Sequence, residues 1–339
     1  MRQLIEENTN LQGPTDATVA VTYKCNSKCV MCNIWQESPK DELAPAEYLK
    51  LPTSLKDINI TGGEPFLRND LTEIIGNITE NNPKVRIVIS SNGFLTQKII
   101  DYMQKIRKIN SKACIALSVD GIDEMHSQIR GIDNAYEKVL KTISGLKAAG
   151  INDIRLGFTA SKENVSHLRK VYELSESLGI EFTLSVVHNS GNYFNIDTNK
   201  QPDVMDLQKE IDYVINKEYR LTSPRRLFRI YYIKGILDFV KNNKRPLSCM
   251  ALKDFFFMDS IGNIFPCNMV NSSIGNIKDS DFYTIWNSGK AKNLKNYCES
   301  CNNCWMVCTA KSSIRRNFIR VAGKIGREFI PTKIKALSV

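Results

Sequence analysis

Short apolar runs alternate with longer stretches of helical period through the first half of the chain. Thr18-Val19-Ala20-Val21-Thr22-Tyr23 and the stretches 56–60, 85–90, 113–119, 154–159 and 182–187 are rich in β-branched or aromatic residues and predict strands. Between them, 71–80, 97–109, 135–149 and 165–178 predict helices. In the third of these, Val139, Ile143, Leu146 and Ala149 recur at helical spacing before Gly150, and Leu178-Gly179 closes the fourth in the same way. Strands alternating with helices predict parallel βα units with right-handed crossovers, six of them over about residues 15–190. Residues 189–202 are polar and loop-like. Residues 205–240 are helical, with Phe228, Tyr231, Tyr232 and Phe239 most simply read as packing. Phe255-Phe256-Phe257-Met258 and Asn263-Ile264-Phe265 flank a turn at Gly262 and predict a β-hairpin.

The last 29 residues place Ile314, Phe318, Val321, Ile325 and Phe329 at steps of 4, 3, 4 and 4, an amphipathic helix. This stretch changes how the net charge of +10 is read. Residues 311–339 hold eight basic residues against Glu328, a balance of +7, which leaves about +3 for the other 310 residues. A near-neutral body disfavours a nucleic-acid binder, and a localised basic tail suggests a docking segment. It can lie on an anionic membrane or pack on its own barrel, and the pattern leaves both open.

At 339 residues, with 42% hydrophobic and 24% charged content, the chain fits one large domain and a smaller one. No run of about 18 apolar residues predicts a membrane span, and the N-terminus lacks a signal-type apolar stretch. The expectation is a cytoplasmic protein, peripheral to the inner membrane face if the tail docks there. In that compartment ten cysteines favour metal ligation over disulfides.

Three of those cysteines stand in Cys25-Asn26-Ser27-Lys28-Cys29-Val30-Met31-Cys32, directly after the first strand. Thiolates are the usual ligands of iron–sulfur clusters, and three of them leave one corner of a four-iron cube open. A zinc site would want a fourth Cys or His nearby, and the next Cys is Cys114. One strand later comes Thr61-Gly62-Gly63-Glu64-Pro65, where two glycines permit close backbone approach to a ligand. The C-x3-C-x2-C spacing followed by GGEP resembles the radical S-adenosylmethionine (SAM) enzymes, although Met31 stands where that family often has an aromatic residue.

The resemblance implies a (β/α)6 partial TIM barrel. A [4Fe-4S] cluster on Cys25, Cys29 and Cys32 would bind SAM through its open iron and cleave it to methionine and a 5′-deoxyadenosyl radical, which abstracts hydrogen from a substrate carbon. It assigns the SAM amino group to Gly62, Gly63, Glu64 and Pro65, and the ribose and carboxylate to Ser91, Asn92, Ser118 and Arg130. Turn-forming caps are the plain alternative for these last four. His188 ends the sixth strand facing the same side and is a candidate catalytic residue, with a structural hydrogen-bonding role as its alternative. A reducing protein such as flavodoxin or ferredoxin is implied as partner.

The remaining cysteines other than Cys114 form a second field. Cys249-x12-Gly262-x4-Cys267 is followed by Cys298, Cys301, Cys304 and Cys308. A zinc ribbon is the main rival from spacing alone. The pattern resembles the SPASM/twitch extension of radical SAM enzymes, a small cysteine-rich iron–sulfur domain of a β-hairpin plus helix and loops, here about 246–310 after a helical linker, 191–245. It implies one auxiliary [4Fe-4S] cluster on Cys249, Cys267 and two of the later four, with two clusters as the alternative. In sulfatase-maturing members an Asp base follows the cysteine that ends the hairpin; Asn268 stands there here.

Only 24 residues precede Cys25, which leaves no room for a leader-recognition domain. A sugar, lipid-linked or other small-molecule substrate therefore stands beside a peptide. The functional expectation is an oxidoreductase or modifying enzyme. A non-enzymatic electron carrier or metal-dependent binding protein using the same cysteines is its rival.

Overall fold

The computed structural model describes residues 13–37, 41–219 and 223–336, with the side chains of Pro224 and 328–336 outside the description. Strands β1 (Asp16–Thr22), β2 (Asp57–Gly62), β3 (Arg86–Ser91), β4 (Cys114–Ser118), β5 (Ile154–Ala160) and β6 (Glu181–Val186) are parallel neighbours in chain order. The crossovers carry α1 (Leu71–Asn81), α2 (Thr96–Ile109), α3 (Glu124–Arg130), α4 (Ala135–Ala148) and α5 (Leu168–Ser177). Strand parity explains what each face does. Ile58, Ile60, Ile87, Ile89, Leu156, Phe158, Leu184 and Val186 are buried in the main core, where Ile74, Ile78, Met103, Ile143 and Val171 also lie. Their alternates, Thr61, Ser90, Ser118, Thr159 and Ser185, are short and polar and line a cavity. Six strands thus enclose a hollow with polar walls.

Two helices, α6 (Val204–Tyr219) and α7 (Pro224–Asn242), follow and bury Leu207, Ile211, Val214, Ile230, Ile233 and Ile236. The hairpin predicted after Cys249 exists, but it extends the barrel's own sheet. Strand β7 (Phe255–Met258) runs parallel to β1, pairing Asp16 with Phe255 and Val19 with Met258. Strands β8 (Asn263–Phe265) and β9 (Gly275–Asn276) continue it antiparallel. The order β6-β5-β4-β3-β2-β1-β7-β8-β9 leaves the barrel open among the described residues. Phe255, Phe256 and Phe257 are fully buried, so this strand has two covered faces and a continuous apolar run.

Helices α8 (Phe282–Trp286) and α9 (Gly289–Ser300) start on side-chain caps from Asp281 and Ser288. The tail breaks at Asn317 into α10 (Val307–Arg316) and α11 (Phe318–Ala336), where one amphipathic helix was expected. Its basic residues are partly spent inside the molecule. Lys311 pairs with Asp57, Arg315 with Asp16, and Arg316 with the buried Asp254. These pairs seat α10 at the entry ends of β1, β2 and β7, so this part of the tail's charge is not free for a bilayer. Val321 and Ile325 are buried, Phe318 is half exposed against Phe228 at 5.3 Å, and the side chain of Phe329 lies outside the described residues. No helix among the described residues is long and apolar enough to cross a membrane.

Candidate active site

The strand exits meet round a cavity of about 230 Å³. The chain leaving β1 forms the cysteine loop, and Cys25, Cys29 and Cys32 all line this cavity. The loop is pinned to α3: Lys28 N donates to Arg130 O (3.2 Å), Val30 N to Ile129 O (3.0 Å) and Ser27 Oγ to Arg130 O (2.7 Å). Gly131 ends α3 with a φ of +62°, and a Cβ there would stand 2.3 Å from Lys28 O, so only glycine lets the loop lie this close. Arg130 is the last residue of α3, and the end of this helix anchors the loop.

The Arg130 guanidinium forms an ion pair with the fully buried Asp120 and reaches Cys29 Sγ at 3.7 Å. Burial works against its charge, but Asp120 and Cys29 more than restore it and hold the group above its ordinary range. Burial, with the neighbouring sulfurs, pushes the Cys25 thiol up to about 11 and Cys32 up to about 12. Thiols held neutral this way become thiolates only against a compensating positive centre, which is what an iron cluster provides.

Gly62 and Gly63 line the cavity; Glu64 and Pro65 do not. Glu64 is fully buried and accepts from Phe66 N (3.1 Å), Ser91 Oγ (3.0 Å) and Asn92 N (2.8 Å). Its carboxylate ties the exit of β3 to the GGEP turn, and burial raises it to about 7 against those three donors. Glu64 therefore fastens the GGEP turn to the exit of β3. Ser91, Asn92, Ser118 and Arg130 all reach the cavity wall, and Asn92 Nδ2 also donates to Asn26 Oδ1 in the cysteine loop (2.7 Å).

His188 lines the same cavity. Its Nδ1 donates to Val186 O (2.7 Å), which leaves Nε2 as a bare acceptor, buried and without a partner among the described residues. Burial lowers this imidazole to about 4, so it is neutral at ordinary pH. Phe239 stacks behind it at 5.6 Å, giving one member of the aromatic patch a role beside the site.

Sequence reasoning missed Tyr193, Phe194, Asn199 and Met306, which complete the wall. Tyr193 OH donates to Gly62 O (3.1 Å) and contacts Thr61 Oγ1 (2.9 Å). It lies in a stretch whose polar composition hid its burial. Met306, between Cys304 and Cys308, lines the cavity of the first cysteine group, so the segment carrying the later cysteines reaches that cavity. Asn268 Nδ2 approaches Met306 Sδ at 3.9 Å.

The six later cysteines gather in one nest. Cys249, Cys267, Cys298 and Cys304 are buried, and Cys301 and Cys308 partly so. Burial and the neighbouring sulfurs push Cys298 and Cys308 up to about 12 and raise Cys249 and Cys267. Cys114 stands apart in β4. Among the described residues no three His, Cys, Asp or Glu side chains converge as ligands of a single ion. A four-iron cube places its ligands on separate corners, and the all-thiol donor sets of both fields suit it.

A parallel α/β sheet with thiols at its strand exits and a second thiol nest beside it defines an iron–sulfur enzyme class. The chain belongs to the radical SAM superfamily: residues 19–175 match the model of that superfamily, and residues 249–305 match the SPASM iron-sulfur cluster-binding domain. A relative named AdoMet-dependent heme synthase, from Methanosarcina barkeri, is 27% identical over 311 residues, covering 83% of this chain and 86% of the relative. A probable GTP 3′,8-cyclase from Saccharolobus islandicus is 26% identical over 246 residues, covering 69% and 76%. Among solved structures, Streptococcus suis SuiB bound to S-adenosylmethionine superposes with a TM-score of 0.66 at 14% identity, over 89% of this chain and 74% of SuiB. The structure anSMEcpe with bound AdoMet gives 0.63 at 16% identity, over 93% and 100%. The chain is therefore a radical SAM enzyme with a (β/α)6 sheet, and its cofactors are SAM, a [4Fe-4S] cluster and auxiliary cluster chemistry of SPASM type.

Proposed function

We propose that this enzyme cleaves SAM reductively at a cluster held by Cys25, Cys29 and Cys32, and oxidises a compact substrate at an unactivated carbon. One observation carries the reading: a single cavity is walled by those three thiols, by Ser91, Asn92, Ser118 and Arg130, and by His188 and Met306. Cluster and SAM, when bound, supply a carbon radical able to take hydrogen from carbon. The chain's own part is to hold and exclude. Gly62 and Gly63 admit SAM against the β2 exit, and Arg130 with the strand-end hydroxyls offers donors for its carboxylate and ribose. Tyr193 and Met306 add apolar surface to the cavity wall. His188 Nε2 is a neutral acceptor on the cavity wall, suited to orient a substrate donor or take its proton.

We assign the auxiliary cluster to Cys249, Cys267 and members of the Cys298–Cys308 group, within a unit of about residues 246–310. Its role is to take the electron left on the substrate radical, and the support is that Met306, between Cys304 and Cys308, lines the cavity. A flavodoxin- or ferredoxin-like protein is the expected reductant. A small molecule is favoured as substrate over a long peptide, because both relatives above are named for small-molecule chemistry.

The test is anaerobic reconstitution, reduction with dithionite in the presence of SAM, and an assay for 5′-deoxyadenosine, beside a variant with Cys25, Cys29 and Cys32 all replaced by Ala. Product from the wild type alone supports the reading. A loaded wild type that makes none refutes it.

A further inference from the structure

Arg245 is a buried cation with no anion to answer it among the described residues. It is 6% exposed. Its Nε donates to Leu247 O (3.1 Å), its Nη1 to Cys304 O (2.6 Å), Thr309 Oγ1 (3.1 Å) and Cys304 Sγ (3.5 Å), and its Nη2 to Ser313 Oγ (3.2 Å). The guanidinium also lies 5.2 Å from the Trp305 ring centroid. Every acceptor is a carbonyl, a hydroxyl or a sulfur. A guanidinium does not lose its proton in proteins, and burying its charge without a counter-charge is costly. Arg130, by contrast, has Asp120.

We propose that Arg245 is the charge partner of the auxiliary cluster and sets its reduction potential. This rests on the assignment of that cluster to the nest around Cys304. A four-iron cluster held by thiolates is a net anion, and taking one electron adds to its negative charge. Charge and hydrogen bonds to sulfur are among the factors that set the potential of such a cluster. A fixed cation against one ligand sulfur stabilises the reduced form more than the oxidised one, so Arg245 makes the cluster a better acceptor of one electron from a substrate radical. Arg245 is a positioning residue in this role, since it touches a ligand and not the substrate.

The test uses the full chain in the Cys25→Ala, Cys29→Ala, Cys32→Ala background, reconstituted with iron and sulfide, so that only auxiliary cluster is present. Its midpoint potential is read by electron paramagnetic resonance at poised potentials, with no turnover needed. In Arg245→Gln the equilibrium constant for taking one electron falls at least tenfold, a midpoint at least 59 mV more negative. Arg245→Lys, which keeps the charge and loses the fork, restores at least half of that shift. Ser313→Asp, which sets a carboxylate against Nη2 with the guanidinium in place, lowers the midpoint as Gln does. An unchanged midpoint in Arg245→Gln, or equal shifts in the Gln and Lys variants, overturns the inference. Should Arg245→Gln hold no cluster, an unchanged midpoint in Ser313→Asp overturns it equally. A background protein that takes up no cluster at all refutes the cluster assignment itself, a different outcome from an unmoved potential.

Discussion

A methyl group added at Gly63 should disable the enzyme while leaving most of the fold intact. An Ala Cβ there would stand 2.2 Å from Lys24 O, 2.6 Å from Lys24 C and 2.8 Å from Tyr23 O. These are backbone atoms, and reaching even 3.0 Å from Lys24 O needs a retreat of about 0.8 Å. The carbonyl that must move accepts from Glu64 N at 2.8 Å, and the neighbouring Thr22 O accepts from Gly63 N at 2.8 Å. Losing both bonds costs about 2 kcal/mol at roughly 1 kcal/mol each. The displaced residue immediately precedes Cys25, so the shift passes into the cysteine loop. A misplacement of about 1 Å in a reacting constellation costs on the order of 10²-fold in rate. We therefore expect deoxyadenosine formation in Gly63→Ala to fall about 100-fold at matched iron content, measured by chromatography after anaerobic reduction. Gly76→Ala is the control: nothing stands within 4 Å of its added Cβ. In mid-helix that change should add about 0.5–1 kcal/mol of stability and leave the rate alone. A Gly63→Ala enzyme within threefold of wild type would refute the close-approach argument.

Further expectations concern the buried charges around the cavity. Arg130→Met leaves Asp120 buried and unpaired and should cost about 3–5 kcal/mol in chemical denaturation; adding Asp120→Asn should recover most of it, and an equal loss in the double variant would contradict the pairing. His188, lowered to about 4 by burial, binds its proton more weakly folded than unfolded. Its contribution to stability should therefore fall by about 3 kcal/mol as pH drops from 6.5 to 4, read as the difference in pH slope of the thermal midpoint between the wild type and His188→Gln. Glu64 runs the other way. Raised to about 7 by burial, it holds its proton more tightly folded than unfolded, so about 3 kcal/mol is lost as pH rises from 4.5 to 7. Glu64→Gln should remove this loss, and an unchanged pH slope would show that the carboxylate is not buried as described.

What could be read from the chain before folding was local. Strand runs, helix periods and glycine stops lie within one or two residues of each other, and the six βα units follow them closely. The two cysteine groups carry their chemistry in their spacing. Other features depended on contacts between distant residues. Nothing in Phe255–Met258 says that it will pair with β1, more than 230 residues earlier, because a buried strand looks the same whichever neighbour it has. The break at Asn317 is hidden because apolar positions keep helical phase across it. Glu64 sits in a ligand-binding motif, yet its donors come from Ser91 and Asn92, a strand away. Arg245 lies in a basic stretch that reads as surface, and only the fold reveals that it is buried against Cys304.

The most direct test of the account is whether SAM binds the cluster on Cys25, Cys29 and Cys32. Electron paramagnetic resonance of the dithionite-reduced full-length protein, recorded with and without SAM, reads this at the iron itself. SAM should reshape one cluster signal in the wild type and change nothing in the variant with those three cysteines replaced by Ala. A fully loaded wild type whose spectrum is indifferent to SAM would contradict it.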